Sequence, residues 1–147
     1  MPYAKLNDIT FSPEAIAQAA QINANAFCFV VPAYAKAQGL SLAECWTFIG
    51  RNFASTWPQD MPLNEVAQRV ALNLVSSGCT LQSFSCNASQ AEIVVTDWPS
   101  PMACERFQLT QAEADTMFAL FAPIAPQLNC HYQWQRQGDT IVMTFTR

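Results

Sequence analysis

The C-terminal segment constrains the fold more than any other stretch of this sequence, because two runs of alternating apolar and polar residues flank Gln137-Gly138. A two-residue turn at Gln137-Gly138 pairs Arg136 with Asp139 and makes Trp134 face Ile141. Side chains alternate between the two faces of a sheet, so this pairing puts the large apolar residues of both runs on one face. We therefore predict an antiparallel hairpin whose core-facing side chains are Cys130, Tyr132, Trp134, Ile141, Met143 and Phe145.

A second hairpin is predicted earlier in the chain. Residues 79–86 and 92–96 are rich in strand-forming side chains, and the segment Asn87-Ala88-Ser89-Gln90 between them is typical of a turn. Residues 93–95 are apolar without interruption, so this strand is expected to be covered on both faces.

Three helices are predicted before the first hairpin. The first begins at Ser12-Pro13, where a capping residue precedes proline at the first helical position, and it runs to Gln38. Pro32 is expected to kink or split this helix, because proline lacks the N–H that the helix needs. Residues 26–35 are apolar on every side, which is typical of a helix that is buried all round.

The remaining helices carry their own start and stop signals. The second helix begins with the capping box Ser41–Glu44, and the third follows Pro62 and stops at Ser76–Gly78. A second capping box, Thr110–Glu113, opens a helix that runs through Phe121. The predicted order is therefore ααα-ββ-α-ββ, and we expect a single α+β domain over residues 1–147.

Charge and cysteine usage exclude several classes of protein. The chain has 51% hydrophobic and only 12% charged residues, with a net charge of −4 and seven scattered basic residues, so nucleic-acid binding is not expected. The N-terminus has no secretory signal pattern, and the most apolar stretch is too short to span a membrane, so no membrane association is expected. Six cysteines in such a chain predict reduced, buried thiols and a cytoplasmic location.

Metal and nucleophile chemistry have little support in the sequence. The six cysteines form no C-x-x-C pair and the chain has one histidine, so neither a metal nor a cofactor is expected. His131 lies on the polar face of the predicted hairpin, whereas the neighbouring Cys130 lies on the other face. The two side chains are therefore badly placed to act as a Cys–His pair. The remaining catalytic hypothesis is a small hydrolase or lyase that uses Cys104 with Asp97 or Glu105 from the neighbouring loop.

The C-terminal half also carries a recognisable order of parts. A hairpin ends in Asp97-Trp98-Pro99, and it is followed by Cys104, a helix through Phe121, a strand at Cys130–Trp134 and Gly138-Asp139 before the last strand. Over residues 79–147 this order resembles two related groups of small bacterial domains, the 4-vinyl reductase type and the L-2-amino-thiazoline-4-carboxylic acid hydrolase-like proteins. Those groups often carry a cysteine where this chain has Trp98, and another where it has Thr144 or Phe145. The resemblance implies an apolar ligand. Because this chain lacks both cysteines, no catalytic residue is transferred from those groups.

These observations predict a non-enzymatic domain that binds an apolar small molecule or a protein partner, as a homodimer. The scarcity of charge favours self-association, because a monomer usually covers its surface with charged side chains. A ligand pocket is expected between the first helix and the sheet, near Pro32 and Trp98. Its predicted lining is aromatic and aliphatic: Phe27, Val31, Tyr34, Trp46, Trp98, Met117, Phe121 and Tyr132.

Overall fold

A computed structural model of the protein describes residues 10–147. The N-terminal segment, in which no secretory signal is predicted, lies outside the described residues. Three helices come first: α1 (Pro13–Ala37), α2 (Leu42–Ala54) and α3 (Leu63–Ser76). Two short helices, α4 (Pro101–Phe107) and α5 (Gln111–Asp115), and two 3₁₀ helices, Thr116–Phe121 and Ala125–Leu128, lie between the two hairpins.

The four strands form one antiparallel sheet. They are β1 (Thr80–Cys86), β2 (Gln90–Thr96), β3 (His131–Gln137) and β4 (Thr140–Thr146), in the spatial order β1-β2-β4-β3. Burial alternates along β2 and β4, because the helices cover one face of the sheet while the other remains open. The α+β class is therefore confirmed, but the expectation that residues 93–95 are covered on both faces is wrong, since Val94 is only half-buried.

The C-terminal hairpin has the predicted faces and a different register. Gln137 pairs with Thr140, so the turn is Gly138-Asp139 and Trp134 faces Met143. Gly138 has a φ of 62°, and glycine at the first central position is typical of a type II′ hairpin turn. The predicted turn at Gln137-Gly138 would have placed Gln137 at the first central position, where a positive φ is unfavourable for a residue with a side chain. Each pairing therefore shifts by two residues, which leaves every side chain on its predicted face.

Helix α1 is continuous, although it contains Pro32. The ring of Pro32 is fully buried, and its packing compensates for the missing backbone hydrogen bond. The prediction that residues 26–35 are buried on every side of the helix is wrong. Cys28, Phe29, Pro32 and Ala35 face the core, whereas Phe27, Val30 and Tyr34 are exposed.

The segment between the hairpins is more broken than the sequence predicted. Ser100 caps α4 by accepting a hydrogen bond from the backbone N–H of Ala103, and Pro101 occupies the first helical position. The capping box at Thr110–Glu113 is present, but α5 passes directly into the 3₁₀ helix Thr116–Phe121. This 3₁₀ helix packs closely on α2, because a Cβ added to Gly50 would lie 2.1 Å from the carbonyl oxygen of Leu120.

Candidate functional site

Aromatic side chains fill the region in which the ligand pocket was predicted. The ring of Trp98 stacks on that of Phe29 at a centroid distance of 5.0 Å, and the ring of Phe107 also stacks on that of Phe29, at 6.1 Å. Phe118 contacts the edge of Trp98 at 6.3 Å. These rings form the centre of the hydrophobic core between α1 and the sheet, so a ligand there would have to replace packed side chains.

An apolar cleft opens instead among the helices, on the side of α1 that faces α2 and α3. Its volume is about 300 Å³, and residues from α1, α2, α3 and the 3₁₀ helix Thr116–Phe121 line it. Four of the predicted site residues meet in this cleft: Phe27, Trp46, Met117 and Phe121. The volume is at the lower end of the range for small-molecule pockets.

The other four predicted site residues lie elsewhere. Val31 and Tyr34 line a shallow groove between α1 and α2, next to the cleft. Trp98 is buried in the aromatic core. The hydroxyl of Tyr132 donates a hydrogen bond of 2.9 Å to the carbonyl oxygen of Phe118, and burial raises its pKa well above the ordinary value. Tyr132 is therefore a packing residue that fastens β3 to the helical layer.

One end of the cleft is polar, and it is formed by the last turn of α3. Asn73, Ser76 and Ser77 contribute to the lining here. The sequence indicated these serines only as a stop signal for the helix. The side-chain amide of Asn25 in α1 donates a hydrogen bond of 2.7 Å to the carbonyl oxygen of Ser77, which holds this end of α3 against α1.

Trp46 and Cys28 are two residues of the cleft wall whose side chains carry polar atoms. Trp46 is 2% exposed, and its indole N–H has no hydrogen-bond partner within residues 10–147. An unpaired buried donor costs about 1–3 kcal/mol relative to a paired one, but the nitrogen itself is buried, so a ligand in the cleft would reach this N–H only if the indole ring moved. The thiol of Cys28 lies in the same wall, and burial raises its pKa, although a hydrogen bond with Ser77 acts in the opposite direction.

The residues of the catalytic hypothesis form a weaker arrangement. Cys104 lies in α4, and burial raises the pKa of its thiol, an effect that the nearby carboxylate of Asp115 increases. A thiol with a raised pKa is mostly protonated at neutral pH and is a poor nucleophile. His131 is exposed on the open face of the sheet, on the side away from the helices.

Metal sites, membrane-spanning helices and related proteins give little further information on the class of function that this chain has. Within residues 10–147, no three metal-binding side chains come together in a way that could hold an ion. None of the described helices combines the length and the hydropathy needed to cross a bilayer. No family model matches the chain, and no curated protein matches it.

Proposed function

We propose that this chain is a non-enzymatic, cytoplasmic domain that binds a neutral, apolar small molecule in the cleft between α1, α2 and α3. The observation that carries the proposal is a cleft of about 300 Å³ whose wall is mostly aromatic and aliphatic, with one polar end at Asn73, Ser76 and Ser77. Small-molecule sites typically have this composition, with a mostly apolar wall and few polar groups. The six free thiols fit the reducing environment of the cytoplasm.

The cleft favours a neutral ligand over an ionised one. None of its lining residues, all within the described part of the chain, is charged. Burying a carboxylate without a cationic partner is costly. In addition, the polar end of the cleft is the C-terminal turn of α3, whose partial negative charge disfavours an anion. A hydroxyl or carbonyl group on an otherwise apolar molecule suits this end, where Asn73, Ser76 and Ser77 can form hydrogen bonds with it.

The hydrolase or lyase hypothesis has less support from the same geometry. A catalytic cysteine needs a stabilised thiolate, whereas both burial and Asp115 raise the pKa of Cys104. The carboxylate that influences this thiol is Asp115, which is itself bound by Arg136 through a contact of 2.6 Å. Asp97 and Glu105 therefore have no evident role as a base for Cys104.

Thermal denaturation with matched ligand pairs tests the proposed ligand class. We would compare medium-chain alcohols and ketones with carboxylates of the same chain length. A ligand present at one hundred times its dissociation constant adds about 2.7 kcal/mol to the stability, and we expect this gain from the neutral compounds only. Binding should also change the fluorescence of Trp46. Equal stabilisation by the carboxylates would contradict the neutral-ligand proposal, and no stabilisation by any compound would remove it.

A cleft-filling variant separates binding in the cleft from binding elsewhere. Ala24 lines the cleft and is half-buried, so Ala24→Phe should fill the space and abolish stabilisation by the neutral ligand. Ala112→Phe places the same side chain on an exposed position of α5 and serves as the control. If the Ala24→Phe variant still binds with unchanged affinity, the ligand does not occupy this cleft.

A further inference from the structure

One face of α1 carries a regular stripe of exposed residues, of which Phe27 also borders the cleft and Val30 and Tyr34 also border the groove on α2. Its members are separated by alternating steps of four and three residues, and all six are exposed: Ile16, Ala20, Asn23, Phe27, Val30 and Tyr34. This spacing is the heptad pattern of core positions in a coiled coil. None of the six is charged, so the stripe has the composition of an interface and not of a solvated helix face.

The orientation of α1 shows that its own core does not need this stripe. Cys28, Phe29, Pro32 and Ala35 bury the opposite side of the helix, and Asn25 on that side binds the end of α3. Before residue 24 the helix is exposed all round, which corresponds to about 16 Å of helix at 1.5 Å per residue. Glu14 is the one charged residue between Pro13 and Ala35. A helical arm of this composition needs a partner, because an isolated helix of such length is marginal in water.

We propose that α1 pairs antiparallel with α1 of a second copy of this chain, across a two-fold axis that passes the stripe midway between Asn23 and Phe27. In an antiparallel coiled coil, the two types of heptad core position face each other. Ile16 then lies opposite the partner's Tyr34, Ala20 opposite the partner's Val30, and Asn23 opposite the partner's Phe27. A single stripe thus supplies both sides of a closed, isologous interface.

The sizes of the opposed side chains favour the antiparallel arrangement. In this register the smaller member of each pair, Ile16, Ala20 or Asn23, meets a larger one, so the distance between the helices stays even along the interface. A parallel pair would place Tyr34 against its own copy and Ala20 against its own copy, which alternates wide and narrow layers.

The exposed area matches what a stable dimer requires. In the antiparallel pair, the projecting arm of one copy lies along Val30 and Tyr34 of the other, next to the groove that Leu40 and Phe48 help to line. The large apolar side chains of the stripe and of this groove are each 46–64% exposed: Ile16, Phe27, Val30, Tyr34, Leu40 and Phe48. At about 200 Å² per aromatic side chain, they and their neighbours approach the roughly 800 Å² per partner of a standard interface. Monomers rarely expose an apolar patch of this size.

Sedimentation equilibrium of the full chain tests the pairing. We expect a mass of about twice 16.3 kDa at micromolar concentration. Val30→Lys should produce a folded monomer and raise the dissociation constant at least about 100-fold, since it buries an unpaired charge in the interface only. Gln18→Lys adds the same charge on an exposed position of α1 outside the stripe and should leave the dimer intact. A monomeric wild-type chain, or a Val30→Lys variant that stays dimeric, would overturn the proposal.

Disulfide trapping tests the register separately. In a background in which the exposed Cys86 is replaced by serine, the variants Ala20→Cys and Val30→Cys should each stay uncrosslinked under mild oxidation, and an equimolar mixture should form a covalent heterodimer. Self-crosslinking of either variant alone would indicate a parallel pair and contradict this arrangement. Phe27 belongs to both the cleft and the stripe, but the two proposals fail separately, because oligomeric mass and ligand-induced stabilisation are different measurements.

Discussion

The guanidinium group of Arg136 joins three parts of the chain that are distant in sequence. It donates hydrogen bonds to both carboxylate oxygens of Asp115, at 2.6 and 2.8 Å, to the carbonyl oxygen of Trp98 and to that of Gly138. Asp115 is the one charged residue that is buried within residues 10–147. The hydrogen bonds with Asp115 raise the pKa of Arg136, so its guanidinium group stays protonated. The second hairpin, α5 and the loop after β2 are thereby held together.

Replacement of Arg136 should destabilise the fold strongly. Arg136→Met leaves the Asp115 carboxylate buried without a partner, and the expected loss is about 3–5 kcal/mol in the free energy of unfolding, measured by urea denaturation. Arg51→Met, at an exposed site on α2, is the control and should change stability by less than about 0.5 kcal/mol. The double variant Arg136→Met with Asp115→Leu should recover part of the loss. If the single variant is as stable as the control, the ion pair has no structural role.

At the scale of helices and strands, the capping box of α5 links the fold to pH. The carboxylate of Glu113 accepts a hydrogen bond from the backbone N–H of Thr110, and then one from the ammonium group of Lys36 at 2.9 Å. These contacts lower the pKa of Glu113 below its ordinary value of 4.5. The contribution of this carboxylate is therefore complete above pH 4.5, and it is lost as the pH falls through the lowered pKa.

The variant Glu113→Gln isolates the charge, because glutamine keeps the capping hydrogen bond. At neutral pH we expect the wild-type chain to be more stable by at most about 1 kcal/mol, since Lys36 and Glu113 are both partly exposed to solvent. The difference should shrink below pH 4.5 and disappear once the carboxylate is protonated. Denaturation curves at a series of pH values measure it, and a difference that persists in acid would show that the charge is not its source.

The helices and hairpins show how much of the fold could be predicted from the sequence. The two hairpins, the first three helices and the core-facing residues of the last hairpin follow from local periodicity and capping signals, which need no tertiary information. The register at Gly138 was also encoded, because glycine at the first turn position favours Gly138-Asp139. Helix α4 was missed, although Ser100-Pro101 repeats the start signal of Ser12-Pro13. Its seven residues were too few to show a helical period.

The candidate site was less accessible to sequence reasoning. Residue type identified Phe27, Trp46, Met117 and Phe121 as pocket-forming side chains, but not the place where they meet. That place depends on how closely three helices approach one another, for example where Gly50 lets α2 contact the backbone at Leu120. An apolar position in a helix is equally compatible with a packed core, as Phe29 and Trp98 show.

At the scale of the whole molecule, the reactivity of the six thiols measures how far the protein has unfolded. Cys86 is exposed on β1, whereas Cys28, Cys79 and Cys130 are buried. Burial, with smaller effects of Cys28 and Asp97, raises the pKa of Cys79 to about 12. Burial also raises the pKa of Cys28, so Cys28 and Cys79 are both shielded from reagents and protonated near neutral pH.

Pulsed alkylation followed by mass spectrometry should resolve these classes. At pH 8 we expect Cys86 to be modified first, and Cys28, Cys79 and Cys130 only at the rate of global unfolding. Under denaturing conditions all six should react, because all are free thiols. Fast labelling of Cys79 in the native protein would show that the end of α3 opens locally, and fewer than six reactive thiols after denaturation would show that some are oxidised.

The exposed edge of β1, one of the two edge strands of the sheet, affects the behaviour of the protein at high concentration. All seven of its residues are exposed, and it contains neither a charged residue nor a proline, which commonly block edge-to-edge pairing. The bulge at Gln82 is the irregularity that interrupts its pairing with β2. A strand edge of this kind can pair with a strand of another molecule. Association along β1 is therefore the expected route by which a concentrated solution leaves the native state.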